Sequence, residues 1–406
     1  MKVTKGGVFV GIGVLLLAGK WVRVPANPFP IALPVPVMPR PNGYDYFVRA
    51  GQAETGYKEV AQALGEQLPG LPRYNIAPSP IDATALLARN AQALRLAHEG
   101  LGYACLHPAE RDPSSSHAQD ETVPQRHVAR LLVLEGAVKA NHGDWFAAAN
   151  SYLDAIQMGE NEEHGGDLVI CLAGIVYEDI GRESLWETFD HLDAAQARAV
   201  ADRLQAIIDG DPDYSAAMTQ QKWADLAGLR KASPPTEPLF VFVVFNNGVR
   251  ERNYLAFMDQ FAAQGKLPYA QRNQSPPLPH DLLNRKTLPI MVPVYQGAAY
   301  NFARRDCANA LLLTAAALRA YKAEHQLYPP SLDQLIPAYL KSVPPDPFGT
   351  GPLKYRLSGG SYLLYSIGPD GLDDGGKPIE NPAKSGHARY VVWKENKGDI
   401  VAGLNR

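Results

Sequence analysis

The sequence predicts an α+β protein in which helices form a central domain and a small antiparallel sheet lies near the C-terminus. Apolar side chains recur at helical spacing in several segments of residues 44–266. A long helical pattern at residues 294–325 is followed by two short alternating segments on either side of Ser358-Gly359-Gly360. With 406 residues, 46% of them hydrophobic, the chain is long enough for two or three domains.

Residues 1–24 are predicted to form a signal anchor or transmembrane segment. Lys2 and Lys5 precede an apolar run at residues 6–19, and Trp21 follows it. The run is short for a transmembrane helix, but an interfacial tryptophan and snorkelling lysines would extend the span. The favoured interpretation is an uncleaved anchor with a cytoplasmic N-terminus and a periplasmic or otherwise extracytoplasmic bulk. Cleaved secretion is the second interpretation and a buried soluble helix the third.

Residues 25–43 are rich in proline and are predicted to be an extended spacer. An α-helical domain at residues 44–266 follows this spacer. The polar segment at residues 107–125 is expected to be a loop within that domain. The helical patterns of the domain cover residues 44–66, 81–101, 126–155, 167–182, 193–209 and 253–264.

One helix junction in this domain has a recognisable pattern. Gly143 is predicted to make the turn and Asp144 to cap the next helix, whose inward face carries Ala148, Tyr152 and Ala155. The pattern Gly-Asp-Trp-x-x-Ala-x-x-x-Tyr-x-x-Ala resembles the helix junction of tetratricopeptide-type (TPR) repeats, which implies TPR-like helical hairpins. One such pair is not an array, since an array needs at least three repeats.

Residues 267–293 form a proline-rich segment that is predicted to be a linker to a C-terminal domain at residues 294–406. The long helix of that domain should stop before Pro329-Pro330. Ser331 could cap a short helix after this stop. The predicted strands cover residues 354–357 and 361–365.

The segment at residues 364–376 combines glycines with carboxylates. Ca²⁺ prefers several oxygen ligands, and glycines allow a backbone to present its carbonyls closely. The segment is not an EF-hand, because Leu372 and Asn381 occupy two principal ligand positions. A calcium loop is one interpretation and a solvated Asp-Gly turn is the other. The carboxylates are Asp370, Asp373, Asp374 and the later Asp399.

The order of these C-terminal elements resembles the globular domain of the type II secretion major pseudopilin, over roughly residues 300–406. Val343 departs from the leucine of that family, and the leader and apolar helix that start a true pseudopilin are missing before residue 300. We therefore expect a module that does not polymerise into a pseudopilus. The matching residues are Tyr328, Pro329, Leu332, Leu335, Pro344, Asp346, Pro347, Phe348, Gly349, Tyr365, Ser366, Gly368, Asp370, Gly371, Asp399 and Ile400.

In that family the last loop binds calcium, so the resemblance implies a Ca²⁺ ion in this chain as well. It makes Asp370 and Asp399 the first ligand candidates, with oxygens from Ser366 and the Leu364 carbonyl. Asp373 or Asp374 would either contribute or stay solvated. The whole layout also resembles bacterial membrane-anchored envelope proteins that join a helical domain to this type of tail, a family that implies no activity.

Composition restricts the partners of the chain. The net charge is −3 and the pI about 6.4, so no basic surface points to nucleic acid. The expected partners are the membrane, through the N-terminal segment, and a protein of unknown identity. Cys105, Cys171 and Cys307 are far apart in the sequence and are predicted to be buried thiols. A disulfide bond between two of them is the alternative.

Catalytic motifs such as His-Glu-x-x-His, Gly-x-Ser-x-Gly and phosphate-binding glycine loops do not occur in the sequence. Glu135, Glu178 and Asp179 lie on apolar helices, where inward-facing acids are uncommon. One compact acidic cluster falls in a predicted helix connection and is interpreted as a solvated loop rather than a metal site. It consists of Glu160, Glu162, Glu163, His164 and Asp167.

Two hypotheses follow from the sequence. The first is a non-enzymatic, membrane-tethered envelope protein with a partner-binding helical domain and a calcium-stabilised tail linked to secretion. The second is an extracytoplasmic hydrolase with an acidic site in the helical domain. A histidine beside Glu135, Glu178 or Asp179 in one pocket would favour the hydrolase. A concave face lined by Tyr, Trp and Arg would favour partner binding.

Overall fold

The computed structural model describes residues 31–65, 82–108, 117–231, 247–272, 276–279, 282–384 and 386–405. This part of the chain is mostly helical and contains a three-stranded antiparallel sheet, so the predicted α+β class is confirmed. The helices are α1 Gly43–Ala53, α2 Tyr57–Ala63, α3 Ala83–Arg89, α4 Ala91–Gly100, α5 His117–Asn141, α6 Trp145–Glu163, α7 Leu168–Leu185, α8 Ala194–Gly210, α9 Tyr214–Lys231, α10 Asn247–Ala263 and α11 Leu282–His325.

Aspartates begin several of these helices. Asp144 precedes α6 and accepts a hydrogen bond from the Ala147 amide at 3.0 Å. Asp193 precedes α8 and forms a reciprocal capping box with Gln196. These side chains satisfy amide groups that have no partner within the helix. Gly143, at φ 82°, makes the tight turn between α5 and α6 that the sequence predicts.

Two predicted irregular segments contain helix. The expected loop at residues 107–125 includes the start of α5, which begins at His117. Its entry packs on α7, since the Tyr177 hydroxyl donates to the Thr122 carbonyl at 2.6 Å. The first turns of α5 are therefore helical despite their polar composition, because tertiary contacts hold them.

The predicted linker at residues 267–293 also contains helix, because α11 begins at Leu282 and includes Pro289 and Pro293. A proline removes one hydrogen bond of a helix and bends it. Packing offsets this penalty, since Leu288 and Tyr295 are each only 1% exposed. The same predicted linker also contains a short 3₁₀ turn at Tyr269–Gln271, and Tyr269 is buried as well.

Apolar side chains form two core clusters, and α11 contributes to both. The first cluster joins α1 to α8 with the second half of α11 and the sheet, and includes Leu204, Leu311 and Leu364. The second cluster joins α7, α9 and α10 with the first half of α11, and includes Phe261 and Phe302. The C-terminal elements are therefore packed on the helical domain rather than held apart from it.

The sheet follows α11 and a 3₁₀ turn at Leu332–Leu335. Its strands are β1 Lys354–Ser358, β2 Ser361–Ser366 and β3 Ile400–Val401, in the order β1-β2-β3. Lys354 pairs with Tyr365, and Ser366 pairs with Ile400. The two predicted strands and their hairpin are thus found, whereas the Ser331 side chain makes no capping hydrogen bond.

Among the residues that the structure describes, no helix combines the length and the apolar character that crossing a membrane requires. The prediction of a transmembrane helix or signal anchor is corrected accordingly, since no described element supports it. The predicted segment itself, residues 1–24, lies outside the described residues, as does part of the proline-rich spacer. The periplasmic location stays a prediction.

Candidate functional site

The predicted calcium loop is folded by hydrogen bonds in which its oxygens already take part. The Ser366 hydroxyl donates to the Asp346 carboxylate at 2.6 Å. The Leu364 carbonyl accepts from the Ala402 amide at 3.0 Å, which joins β2 to β3. Both oxygens that the resemblance assigned to a metal therefore serve the sheet and its flanking turn.

Asp399 is the buried centre of this loop. Its carboxylate accepts from the amides of Asp374 at 3.3 Å and Gly376 at 2.6 Å. Burial raises the pKa of Asp399, and the nearby charges of Asp373 and Asp374 raise it further, against the effect of the two amides. The site thus concentrates negative charge around one desolvated carboxyl group.

The remaining carboxylates point to separate partners. Asp370 accepts from the Leu372 amide at 3.1 Å, and Asp374 is exposed. Asp373 accepts from the Gly375 amide and the Tyr365 hydroxyl, each at 3.0 Å. These two donors hold the pKa of Asp373 below its ordinary value.

The chemistry of this oxygen-rich donor set suits a hard cation. Within the described ranges, however, no three acidic, histidine or cysteine side chains are arranged to hold a metal ion. Asp373 and Asp374 would have to turn towards Asp399 before the carboxylates converged. Calcium binding therefore stays a prediction.

A cleft of about 340 Å³ lies between α7, α11 and the C-terminal segment. The Tyr300 hydroxyl donates to the Val392 carbonyl at 3.0 Å and ties α11 to one wall. Trp393 and Val391 stand at this wall and are 64% and 40% exposed. The other lining side chains include Trp186, Leu311, Ile400, Asn405, Arg182, Arg304 and Asp179. Aromatic, apolar and arginine side chains thus converge on one concave surface.

The charges on the cleft floor are paired with one another. Asp179 accepts from Arg304 at 2.5 Å and from Arg182 at 2.7 Å. Burial raises the pKa of Asp179, but the two guanidinium groups outweigh it and hold that pKa below its ordinary value. Arg182 also donates to Glu178 and, at 2.8 Å, to Asn309. The floor is therefore polar, and the charges of Asp179, Arg182 and Arg304 are paired with one another.

The three glutamates of the acidic cluster that the sequence placed in a solvated loop lie in the last turn of α6 and are buried, whereas His164 and Asp167 follow that helix and are half-buried. Glu162 is 2% exposed and Glu163 is 1% exposed. Glu163 pairs with Arg305 at 2.6 Å, while Glu160 contacts His164 at 2.6 Å. The solvated-loop prediction is wrong because Arg305, 142 residues further along the chain, supplies the counter-charge.

Glu135 lies elsewhere, on the wall of a more open cavity of about 620 Å³ that also includes His98. His98 bridges Glu135 at 3.3 Å and Asp154 at 3.4 Å. The Asp154 and Glu135 carboxylates raise the pKa of His98 to about 9. Burial opposes ionisation of Glu135, but His98 and Lys139 lower its pKa to about 2. The three side chains form a charged contact between helices at neutral pH, and the imidazolium has no unprotonated nitrogen with which to act as a base.

The structure thus places Asp179 at the cleft floor and Glu178 buried beneath it, against Arg182, and leaves Glu135 apart from them. Tyr300, Trp393 and the arginines line the cleft but are not among the site residues predicted from the sequence. One signal was present, since Arg304-Arg305 interrupts an otherwise apolar helix pattern. Adjacent arginines in such a pattern indicate buried acidic partners.

All three cysteines lie in the described residues and are free thiols, with Cys171 and Cys307 buried and Cys105 half-buried. The chain was compared with protein-family models, with curated proteins and with solved structures, and none of the three comparisons found a match.

Proposed function

We propose that this chain is a non-enzymatic binding protein, and that the cleft between α7, α11 and the C-terminal segment receives an apolar segment of a partner protein. The observation that carries the proposal is Trp393, a large apolar side chain that is 64% exposed on the rim of a cavity. Tryptophan, tyrosine and arginine are the residues that dominate the binding energy of protein interfaces.

The lining of the cleft supports an apolar rather than a charged ligand. Its walls include Trp186, Leu311 and Ile400, and its charged floor is neutralised by internal pairs. The volume of about 340 Å³ is at the small end of the range for ligand cavities, roughly 300–1,000 Å³. An anchoring side chain of an extended segment fits such a site better than a large ligand.

The proposal extends to the two modules around the cleft. The α5–α6 hairpin is TPR-like, and the support is the positive φ of Gly143 together with the cap at Asp144. The C-terminal module is pseudopilin-like, and the support is the order of α11, the 3₁₀ turn and the antiparallel sheet. A role close to secretion follows from this likeness alone.

Peptide selection tests the binding site. A phage-displayed peptide library is selected on the full chain, and the selected peptides are titrated by fluorescence polarisation. We expect peptides with apolar anchors whose affinity falls at least about tenfold in Trp393→Ala, or about 1.4 kcal/mol. Leu372→Ala is the matched control, because Leu372 is also 64% exposed but lies outside the cleft. Equal affinity for wild type and Trp393→Ala would contradict the proposal.

Calcium is the cofactor that the proposal assigns to the C-terminal loop. Its support is the mutual repulsion of Asp373, Asp374 and the buried Asp399, which a cation would relieve. Thermal unfolding of the full chain is compared in EDTA and in millimolar Ca²⁺, with Asp333→Asn as an exposed control. Ca²⁺ at a hundredfold excess over Kd adds about 2.7 kcal/mol of stability. Asp399→Asn should abolish the shift, and an absence of any shift in wild type would remove calcium from the proposal.

The hydrolase hypothesis has one observation in its favour, the position of His98 beside Glu135 in a single cavity. It is the weaker hypothesis, because an imidazolium held between two carboxylates does not accept a proton at neutral pH. Chromogenic ester, amide and glycoside substrates test it directly. Turnover by wild type that His98→Gln abolishes would replace the binding proposal with the hydrolase.

A further inference from the structure

The crossing of α6 and α7 contains two glutamates that each lie in a notch made by a glycine of the other helix. A Cβ atom on Gly174 would lie 2.6 Å from Cγ of Glu163, and a Cβ atom on Gly159 would lie 2.7 Å from Cγ of Glu178. Real Cβ atoms do not approach other atoms so closely. Each carboxyl side chain therefore occupies space that exists only because its neighbour is glycine.

The arrangement is reciprocal. Each helix carries a glycine followed four residues later by a glutamate, Gly159 and Glu163 on α6, then Gly174 and Glu178 on α7. Residues four apart lie on one face of a helix. The two helices thus face each other with matching notches, and the two carboxyl groups meet within hydrogen-bonding reach.

Groups from every neighbouring element face this pair. Arg305 of α11 pairs with Glu163 and also with its neighbour Asp306, while on α7 Arg182 pairs with Glu178 and the Cys171 thiol lies near Glu163. Asp211, in the turn after α8, accepts from Asn309 at 2.9 Å. Three buried carboxyl groups, those of Glu163, Glu178 and Asp211, therefore share the two buried guanidinium groups of Arg182 and Arg305.

The two facing oxygens have no donor. Glu163 Oε1 and Glu178 Oε1 are buried and find no hydrogen-bond partner among the described residues. An unpaired buried carboxylate oxygen is costly, and two facing acceptors repel each other. One proton between them removes both problems at once, because it converts one acceptor into a donor. The arginines cannot substitute for it, since they contact the opposite oxygens.

We propose that Glu163 and Glu178 share a proton that holds α6, α7 and α11 together, and that loss of this proton with rising pH loosens the junction between the helical domain and α11. Burial raises the pKa of Glu163 well above its ordinary value, and the Glu178 and Asp211 carboxyl groups add to the rise against the effect of Arg305. Burial acts on Asp211 in the same direction.

The direction of the pH effect follows from proton linkage. The unfolded chain releases the proton of Glu163 near its ordinary pKa of 4.5, whereas the folded chain keeps it to a higher pH. The folded state therefore binds the extra proton above pH 4.5, and stability falls as pH rises through this window. When the folded state holds one more proton than the unfolded state, each rise of one pH unit increases the unfolding equilibrium constant by up to about tenfold.

Glu163→Gln tests the proposal, because the amide has the shape of a protonated carboxyl group and cannot ionise. Denaturant unfolding is measured at a series of pH values for wild type, Glu163→Gln and the exposed control Glu99→Gln. The unfolding equilibrium constant should rise with pH more steeply in wild type than in Glu163→Gln. We expect this difference to reach up to about tenfold per pH unit. Glu99→Gln should keep the wild-type dependence.

Infrared spectroscopy gives a readout that a purely structural role would not change. With isotope-labelled glutamate and a series of pH values above 4.5, the carbonyl stretch of protonated glutamate should be partly lost in Glu163→Gln and retained in Glu99→Gln. The remaining band belongs to Glu162, whose pKa burial also raises. Should Glu163→Gln fail to fold, Glu178→Gln removes the same proton and takes its place. An undiminished band, or a pH dependence equal to that of wild type, overturns the proposal.

Discussion

His98 shows how strongly individual side chains in this molecule depend on distant partners. Its two ring nitrogens contact Glu135 and Asp154, which belong to α5 and α6. The charged imidazole therefore joins α4 to both α5 and α6. Ser151 and Lys139 also contact Glu135, and together with His98 they favour its ionised form.

We expect His98→Gln to change the pH dependence of stability between pH 6.5 and about 9. The pKa of His98 is raised from 6.5 to about 9, so its stabilising effect is complete below pH 6.5 and is lost as pH rises through 9. The free energy of unfolding of wild type relative to His98→Gln should fall across this interval. Urea unfolding at stepped pH measures it.

His142→Gln is the control for this measurement, since His142 is exposed in the α5–α6 turn. It should follow wild type at every pH. A constant difference between wild type and His98→Gln from pH 6 to 10 would contradict the assignment of the two ion pairs to stability.

At this scale, an unusual residue is easier to recognise in the sequence than to assign to a position in the fold. Asp144 and Gly143 were predicted correctly, because a cap and a turn depend on neighbours within a few residues. Glu163 was assigned to solvent because its partner Arg305 lies on α11. Trp393 carried no sequence signal, since exposure of one tryptophan depends on what the fold leaves uncovered.

At the scale of elements, the α6–α7 crossing should tolerate no additional atoms. A Cβ at Gly174 would meet Cγ of Glu163 and the Gly159 carbonyl oxygen, each at 2.6 Å. We therefore expect Gly174→Ala to destabilise the protein by about 1–3 kcal/mol, as overpacking does. Chemical denaturation of the full chain measures the loss.

Gly297→Ala is the matched helix substitution, because nothing lies within 4 Å of a Cβ at Gly297 in α11. Replacing a helical glycine by alanine at an open position should stabilise the protein by about 0.5–1 kcal/mol. Equal effects of the two alanines would show that glycine entropy, rather than the close crossing, governs Gly174.

The element boundaries show where local signals stop being sufficient. The hairpin of β1 and β2 was predicted almost to the residue, because a Gly-Gly turn and alternating side chains are local features. The start of α11 was predicted at Val294 instead of Leu282, since Pro289 and Pro293 read as helix breakers. Burial of Leu288 in the second core cluster outweighs that local preference.

At the scale of the whole molecule, the predicted domain boundary does not divide the core. We expect a fragment of residues 294–406 to lack a cooperative thermal transition, because Leu311 and Leu318 would lose their contacts with the helical domain. The ion pairs Arg198–Glu324 and Lys341–Asp209, which also cross the boundary, would be lost too. Calorimetry and near-ultraviolet circular dichroism measure the outcome.

Residues 31–293 provide the control for this fragment experiment. Co-expression of the two pieces should restore one transition, because the missing core surface is then supplied in trans. A sharp transition of the 294–406 fragment alone would contradict the shared core and restore the picture of a separate module.

The length of α11 has a further consequence. Its 44 residues extend over about 66 Å at 1.5 Å per residue, and its two halves belong to different core clusters. A local opening of either cluster leaves the helix held by the other. Amide hydrogens in the middle of α11 therefore exchange with solvent only when the whole molecule unfolds, and their exchange rate measures its global stability.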